Sequence, residues 1–159
     1  MLDRGYKLSV AFWKYKLQSF DFVCAVDGAW GRNEGGDIGG GMGGFIKNNQ
    51  GIILLLFSGP SSASNAEEAE ILGVIYVLRK VIEKKYHMKR VVICSDSSVV
   101  LGASNKGLDN TYLPNFSFQP FIHVSIFVQY VPRTLNDTAD LLAKKGICRP
   151  KMIDYWARP

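Results

Sequence analysis

The stretch Val91-Val92-Ile93-Cys94-Ser95-Asp96-Ser97-Ser98-Val99-Val100 decides how the chain is read. It is a short, continuously apolar run that passes into an aspartate and then a helix, the pattern of a strand buried on both faces. In open α/β sheets, groups at the carboxyl ends of such strands line the crevice where ligands bind. A second stretch ends the same way: Phe20 to Val26, followed by Asp27-Gly28. If the two strands lie side by side, their ends bring two carboxylates into one site. Asp96 alone also fits a helix N-cap, a position that Asp and Ser commonly fill.

Working outward, residues 1–19 alternate like a strand and read as an N-terminal arm or linker. The run Gly39-Gly40-Gly41-Met42-Gly43-Gly44 matches G-x-G-x-x-G, but that spacing marks a dinucleotide site only between a strand and a helix. Here Phe45-Ile46-Lys47, a turn at Asn48-Asn49-Gln50-Gly51 and the apolar run Ile52–Phe57 follow, so a hairpin is expected. Ser64-Asn65-Ala66-Glu67 is a capping box, with Ser64 at N-cap and Glu67 at N3. The helix it opens runs to about Lys85, with Ile71, Val74, Ile75, Leu78 and Ile82 at helical spacing.

After the strand at Cys94 the pattern predicts a short helix from Ser97 to Ser104, a loop over 105–120 and a strand over Phe121–Val131. A last helix starts at Thr134-Leu135-Asn136-Asp137 and stops at Lys144-Lys145-Gly146. Residues 20–147 thus form one α/β domain, a mixed sheet with helices on its faces, and 148–159 read as a C-terminal tail.

At 159 residues the chain is large enough to bury a core as one domain. Its longest unbroken apolar run, Ile52–Phe57, is far too short to span a bilayer, and no secretory signal is visible. Cys24, Cys94 and Cys148 are odd in number, and two fall in expected strands. They read as small buried hydrophobes of an intracellular protein, nuclear or cytoplasmic. Two histidines, His87 and His123, give zinc little to bind, and neither has a nucleophile partner for a Ser-His-Asp triad. The net charge of +5 sits at the two ends of the chain, which suits a polyanionic partner. Arg79, Lys80, Lys84, Lys85, Lys89 and Arg90 would track a phosphate backbone or simply form a solvated helix end.

Several acidic residues stand where propensity disfavours them. Asp140 lies inside the last helix beside Leu135, Ala139, Leu142 and Ala143, on the face expected to pack on the sheet. Glu70 has Gly73 and Val77 at i+3 and i+7, and Gly73 would let that helix sit close to the sheet. Glu67 has the capping role, and Glu68 stays open as the alternative to Glu70. Carboxylates gathered in one site repel unless cations neutralise them, and oxygen-only ligands select hard cations, Mg²⁺ above all. A pair of such ions activates a water and stabilises the leaving oxygen of a phosphodiester.

These residues resemble the ribonuclease H family, and closely its plant-type, reverse-transcriptase-like members. The matching motifs are Val26-Asp27-Gly28-Ala29-Trp30, Gly43-Gly44-Phe45-Ile46 leading to Asn49-Gln50-Gly51, and Ala69-Glu70-Ile71-Leu72-Gly73-Val74. Ser95-Asp96-Ser97, Val131-Pro132-Arg133-Thr134-Leu135-Asn136 and Ala139-Asp140-Leu141-Leu142-Ala143 complete the ordered set. The resemblance implies a five-stranded mixed sheet of three antiparallel and two parallel strands. It implies that Asp27, Glu70, Asp96 and Asp140 are catalytic and hold two Mg²⁺, with Mn²⁺ as a substitute.

It further implies a monomer with no organic cofactor that cuts the RNA strand of an RNA–DNA hybrid, leaving a 3′-hydroxyl and a 5′-phosphate. Gly28, Ala29, Trp30, Asn65, Ser97 and Asn136 would contact the nucleic acid, partly through the 2′-hydroxyl. Many members carry a histidine just before the Val-Pro-Arg stretch, where this chain has Tyr130. The other function class is therefore a domesticated, catalytically weakened domain that binds nucleic acid or a protein. A third reading is another phosphodiester chemistry, exonuclease or integrase-like.

Overall fold

A computed structural model describes residues 12–13, 15–100 and 126–158. Its centre is one sheet of six strands in the order β5-β4-β1-β2-β3-β6. The elements are β1 (Phe22–Arg32), β2 (Ile38–Asn48), β3 (Ile53–Ser61), α1 (Ala66–Glu83), β4 (Val91–Ser95), β5 (Ile126–Tyr130), α2 (Asp137–Gly146) and β6 (Ile153–Trp156). Strands β1, β2 and β3 are antiparallel, while β4 runs parallel to both β1 and β5. This is the expected mixed sheet with one strand more.

The sixth strand comes from the segment read as a tail. Ile153–Trp156 pair antiparallel with Leu55–Ser58, covering an edge of β3 that would otherwise present unpaired backbone groups. Side chains fix it there. The Tyr76 hydroxyl donates to Asp154, Lys80 Nζ lies 3.1 Å from the same carboxylate, and Lys84 Nζ sits 4.5 Å from the centre of the Trp156 ring.

Alternation along β1 separates two cores, as period-two side chains must. Cys24 and Val26 face α1, packing with Ile71, Val74 and Leu78. Val23 and Ala25 face the other side, where Val92 and Cys94 join one cluster and Ala139 of α2 another. Every residue of β4 is buried, as its unbroken apolar run requires. Two cysteines, Cys24 and Cys94, are buried and Cys148 is exposed.

Four expectations about local structure are corrected. Residues 15–19 are helical rather than strand-like. Trp13, Leu17 and Phe20, spaced by four and three residues, form the stripe that packs on Val23, Val92 and Val131. The first strand does not stop at Val26 but continues to Arg32, paired throughout with the glycine-rich β2. The N-cap of α1 is Asn65 rather than Ser64: its Oδ1 accepts from Glu68 N at 2.9 Å, so the helix starts one residue later. That helix ends at Glu83, and Lys85 follows with φ 62°. The short helix expected over Ser97–Ser104 is helical at Ser98–Val100, and its remainder from 101 on, the loop over 105–120 and residues 121–125 of the Phe121–Val131 strand lie outside the described residues. Among the described residues no helix is long and apolar enough to cross a membrane.

Candidate active site

Strands β1 and β4 pair in parallel as far as Ala25 opposite Cys94. Two residues further along each chain stand Asp27 and Asp96. Asp27 therefore occupies the middle of a long strand, not a strand end, yet it lies beside the point where β4 gives out. The two carboxylates reach the crevice from neighbouring strands.

Glycine brings the third. An added Cβ on Gly28 would lie 2.3 Å from the Ala69 carbonyl atoms and 2.4 Å from Glu70 N, so only a bare backbone lets α1 rest on β1 here. Gly73, one turn on, also sits close to the strand, with its Cβ position 3.0 Å from Val26 Cγ2. Glu70 thus arrives over Asp27, and its Oε2 accepts from Gly28 N at 3.2 Å, while Asp27 Oδ1 accepts from the same amide at 2.9 Å. One carboxylate oxygen each from Asp27, Glu70 and Asp96 lies within 4.8 Å of the others. Glu70, not Glu68, joins the cluster. Glu68 contributes its backbone N–H to the helix cap instead.

The glycine run of β2 prepares the fourth position. A Cβ on Gly43 would lie 2.5 Å from Ala143 N, and one on Gly41 would lie 2.3 Å from Ala143 O. Helix α2 lies flat on this strip, which brings Asp140 to the same cleft. Its carboxylate is engaged by Lys144 Nζ at 2.9 Å, an i,i+4 pair. The structure therefore brings all four expected carboxylates to one cleft, three of them within 4.8 Å of one another and Asp140 beside Asp27.

The cleft, about 210 Å³, is lined by these four acids together with Gly28, Ala29, Trp30, Arg133, Lys144 and Ile147. Trp30 is 37% exposed. Asn136, expected at the nucleic-acid surface, is instead 1% exposed, and its Nδ2 donates to Val26 O at 3.0 Å. It ties the start of α2 to β1 immediately before Asp27. Ser97 accepts from Val100 N through Oγ, a capping bond, and Asn65 is engaged as the α1 cap. Sequence reading assigns neither Arg133 nor Lys144 a role in the site. The i,i+4 spacing of Asp140 and Lys144 is the available signal for the lysine, whereas nothing local marks Arg133 as facing the cleft.

Electrostatics sharpen the picture. Asp27 is 3% exposed, and burial, followed by the charges of Glu70 and Asp96, pushes its carboxyl up to about 9. Burial also raises Glu70, opposed by hydrogen bonds from Asp27 and the Gly28 amide. Asp96 is raised by burial and eased by Arg133. One of its oxygens, Oδ2, is buried without a hydrogen-bond partner. Three converging carboxylates, one with an orphaned oxygen, form an oxygen-only donor set that fits a hard divalent ion.

A family model described as reverse transcriptase-like matches residues 25–146. Among solved structures, the foamy viral protease-reverse transcriptase in complex with dsDNA superimposes with TM-score 0.64 at 23% identity, covering 82% of this chain and 96% of that one. A second foamy viral structure, in complex with an RNA/DNA hybrid, gives 0.64 at 21% identity over 82% of this chain. LC11-RNase H1 in complex with an RNA/DNA hybrid gives 0.60 at 16% identity, over 79% of this chain and 96% of that one. The chain spans only 21% and 20% of the longer foamy virus chains. Among curated proteins, none matches it. At these identities the likeness is one of fold.

Proposed function

The chain belongs to the reverse transcriptase-like family, and from that premise we propose that it is a ribonuclease H-type endonuclease hydrolysing the RNA strand of RNA–DNA hybrids with two Mg²⁺ ions, for which Mn²⁺ substitutes. The observation that carries this reading is the convergence of Asp27, Glu70 and Asp96 to within 4.8 Å. Two of the superimposable structures were solved with an RNA/DNA hybrid, which supports the substrate class.

In this reading Asp27, Glu70, Asp96 and Asp140 would hold the ions, which would supply Lewis acidity toward the scissile phosphate and activate a water. The proton kept on Asp27 must leave first, so the site loads better as pH rises. Arg133 faces Glu70 and Asp96 and presents a cation to the incoming phosphate. The Gly28–Trp30 backbone and the Trp30 ring line the wall on which a ribose and its 2′-hydroxyl would rest.

A second reading, a domain that binds nucleic acid or a protein without cutting, is favoured by the Lys144–Asp140 pair and by Tyr130, 47% exposed, at the end of β5. A labelled RNA–DNA hybrid, incubated with and without Mg²⁺, separates the two. Metal-dependent cutting of the RNA strand by the wild type, abolished in Asp96→Asn, supports the nuclease. Binding without cutting by either protein supports the second reading.

A further inference from the structure

A second cavity, about 600 Å³, lies against the carboxylate cleft and shares Lys144 with it. It is a shallow depression, open to solvent. Its other lining residues are Glu34, Lys145, Cys148, Arg149 and Pro150, so three cationic side chains face one carboxylate. Local structure fixes this arrangement. The chain leaves α2 through consecutive tight turns, with Ile147 N, Cys148 N and Arg149 N donating to the carbonyls of Lys144, Lys145 and Gly146. Arg149 Nε then donates to Ser58 Oγ at 2.8 Å, and that hydroxyl donates to Leu142 O at 2.6 Å. One of five guanidinium N–H groups is thereby anchored to β3, which orients the rest. An arginine held in this way loses little freedom when it meets a phosphate.

The neighbouring cleft makes the charge of this cavity meaningful. Three or four carboxylates repel a polyanion, and a substrate held there needs compensating positive charge beside it. We propose that the cavity is a phosphate-backbone subsite, in which Lys145 and Arg149 hold the nucleic-acid strand next to the carboxylate cleft. This rests on the nucleic-acid part of the function proposed above and not on cleavage. Cys148, an exposed thiol within the cavity, serves as its reporter, since Cys24 and Cys94 are buried.

The test measures binding of a fluorescent RNA–DNA hybrid in EDTA, over a range of salt, for wild type, Lys145→Gln, Arg149→Gln and Arg158→Gln. Arg158 is exposed beyond the end of β6, outside both cavities. Lys145 is exposed, so its variant tests the subsite even if loss of the Ser58 bond impairs folding of Arg149→Gln. Each cavity variant should weaken binding roughly three- to tenfold and lower the salt slope by about 0.9, as one lost phosphate contact does. The hybrid should also slow labelling of Cys148 by a thiol reagent at least about threefold, the protection that saturated binding gives. Wild-type affinity and salt slope in Lys145→Gln, an equal loss in Arg158→Gln, no protection of Cys148, or no hybrid binding by the wild type would each overturn the proposal. Hybrid cutting that persists with unaltered binding by the variants would remove the subsite and leave the nuclease standing. Cavity-dependent binding without cutting would do the reverse.

Discussion

The substitution Asp27→Asn should change how stability depends on pH, in a direction set by the cluster itself. In the folded, metal-free protein the Asp27 carboxyl titrates at about 9, chiefly because it is buried and secondly because Glu70 and Asp96 stand beside it. In the unfolded chain an aspartate titrates at about 3.9. Between these values the folded protein keeps a proton that the unfolded chain has lost. The linkage is therefore negative: stability is fully present at low pH and falls as pH rises from about 4 to about 9. One retained proton corresponds to at most about 1.4 kcal/mol per pH unit, or roughly 2.7 kcal/mol between pH 6 and pH 8. For a domain of this size that is a drop in Tm of roughly 5–10 °C. An asparagine side chain cannot ionise, so the variant should lose most of this slope and be the more stable protein at pH 8 in EDTA. Mg²⁺ should raise the wild-type Tm more at pH 8 than at pH 6, because ion and proton compete for one carboxylate, and should do little for the variant. Thermal unfolding followed by circular dichroism reads all of this. A wild-type Tm that is flat from pH 6 to pH 8 in EDTA, or a variant with the same slope, would refute the reasoning.

Three further outcomes follow from particular contacts. Gly28→Ala places a Cβ 2.3 Å from the Ala69 backbone; overpacking of that kind costs about 1–3 kcal/mol and should lower Tm by roughly 3–10 °C, with Mg²⁺ affinity reduced as α1 is pushed away. Asn136→Ala removes the buried bond to Val26 O, which should cost about 1–3 kcal/mol in urea unfolding because the carbonyl is left without that partner. Lys144→Met frees Asp140 from a largely exposed ion pair. Its effect on stability should stay within about 1 kcal/mol, while calorimetry should show tighter Mg²⁺ binding at a site made more negative. Weaker Mg²⁺ binding by that variant would show that Asp140 is not a ligand.

How far the sequence can be read depends on whether the signal is local. Val91–Ser95 is visible because burial on both faces needs an unbroken apolar run. Helix α1 is visible because Ile71, Val74, Ile75 and Leu78 repeat with its period. Its cap is misplaced by one residue, since Ser64 and Asn65 are both competent caps and only the geometry at Glu68 N chooses between them. The continuation of β1 to Arg32 is hidden. Its partner is the glycine strip of β2, which reads as loop until one knows that α2 lies on it. Strand β6 is hidden for the same reason: four residues become a strand only because β3 offers an edge. In the N-terminal segment apparent alternation masks the helical stripe of Trp13, Leu17 and Phe20. Asp27 and Asp96 stand out because each follows an apolar strand run, and Asp140 because it sits inside a helix on the face that packs on the sheet. The burial of Asn136 is hidden because a polar side chain at a helix start gives no sign of pointing inward, and the place of Arg133 because nothing in its neighbourhood fixes which way it faces.

The central claim is that Asp27, Glu70 and Asp96 share divalent cations. Anomalous scattering from crystals soaked in Mn²⁺ tests it directly. The account predicts manganese peaks among those three carboxylates in the wild type, including one within bonding distance of Asp96 Oδ2, and their loss in Asp96→Asn. A map with no manganese at the three carboxylates, or with peaks that persist unchanged in the variant, would contradict it.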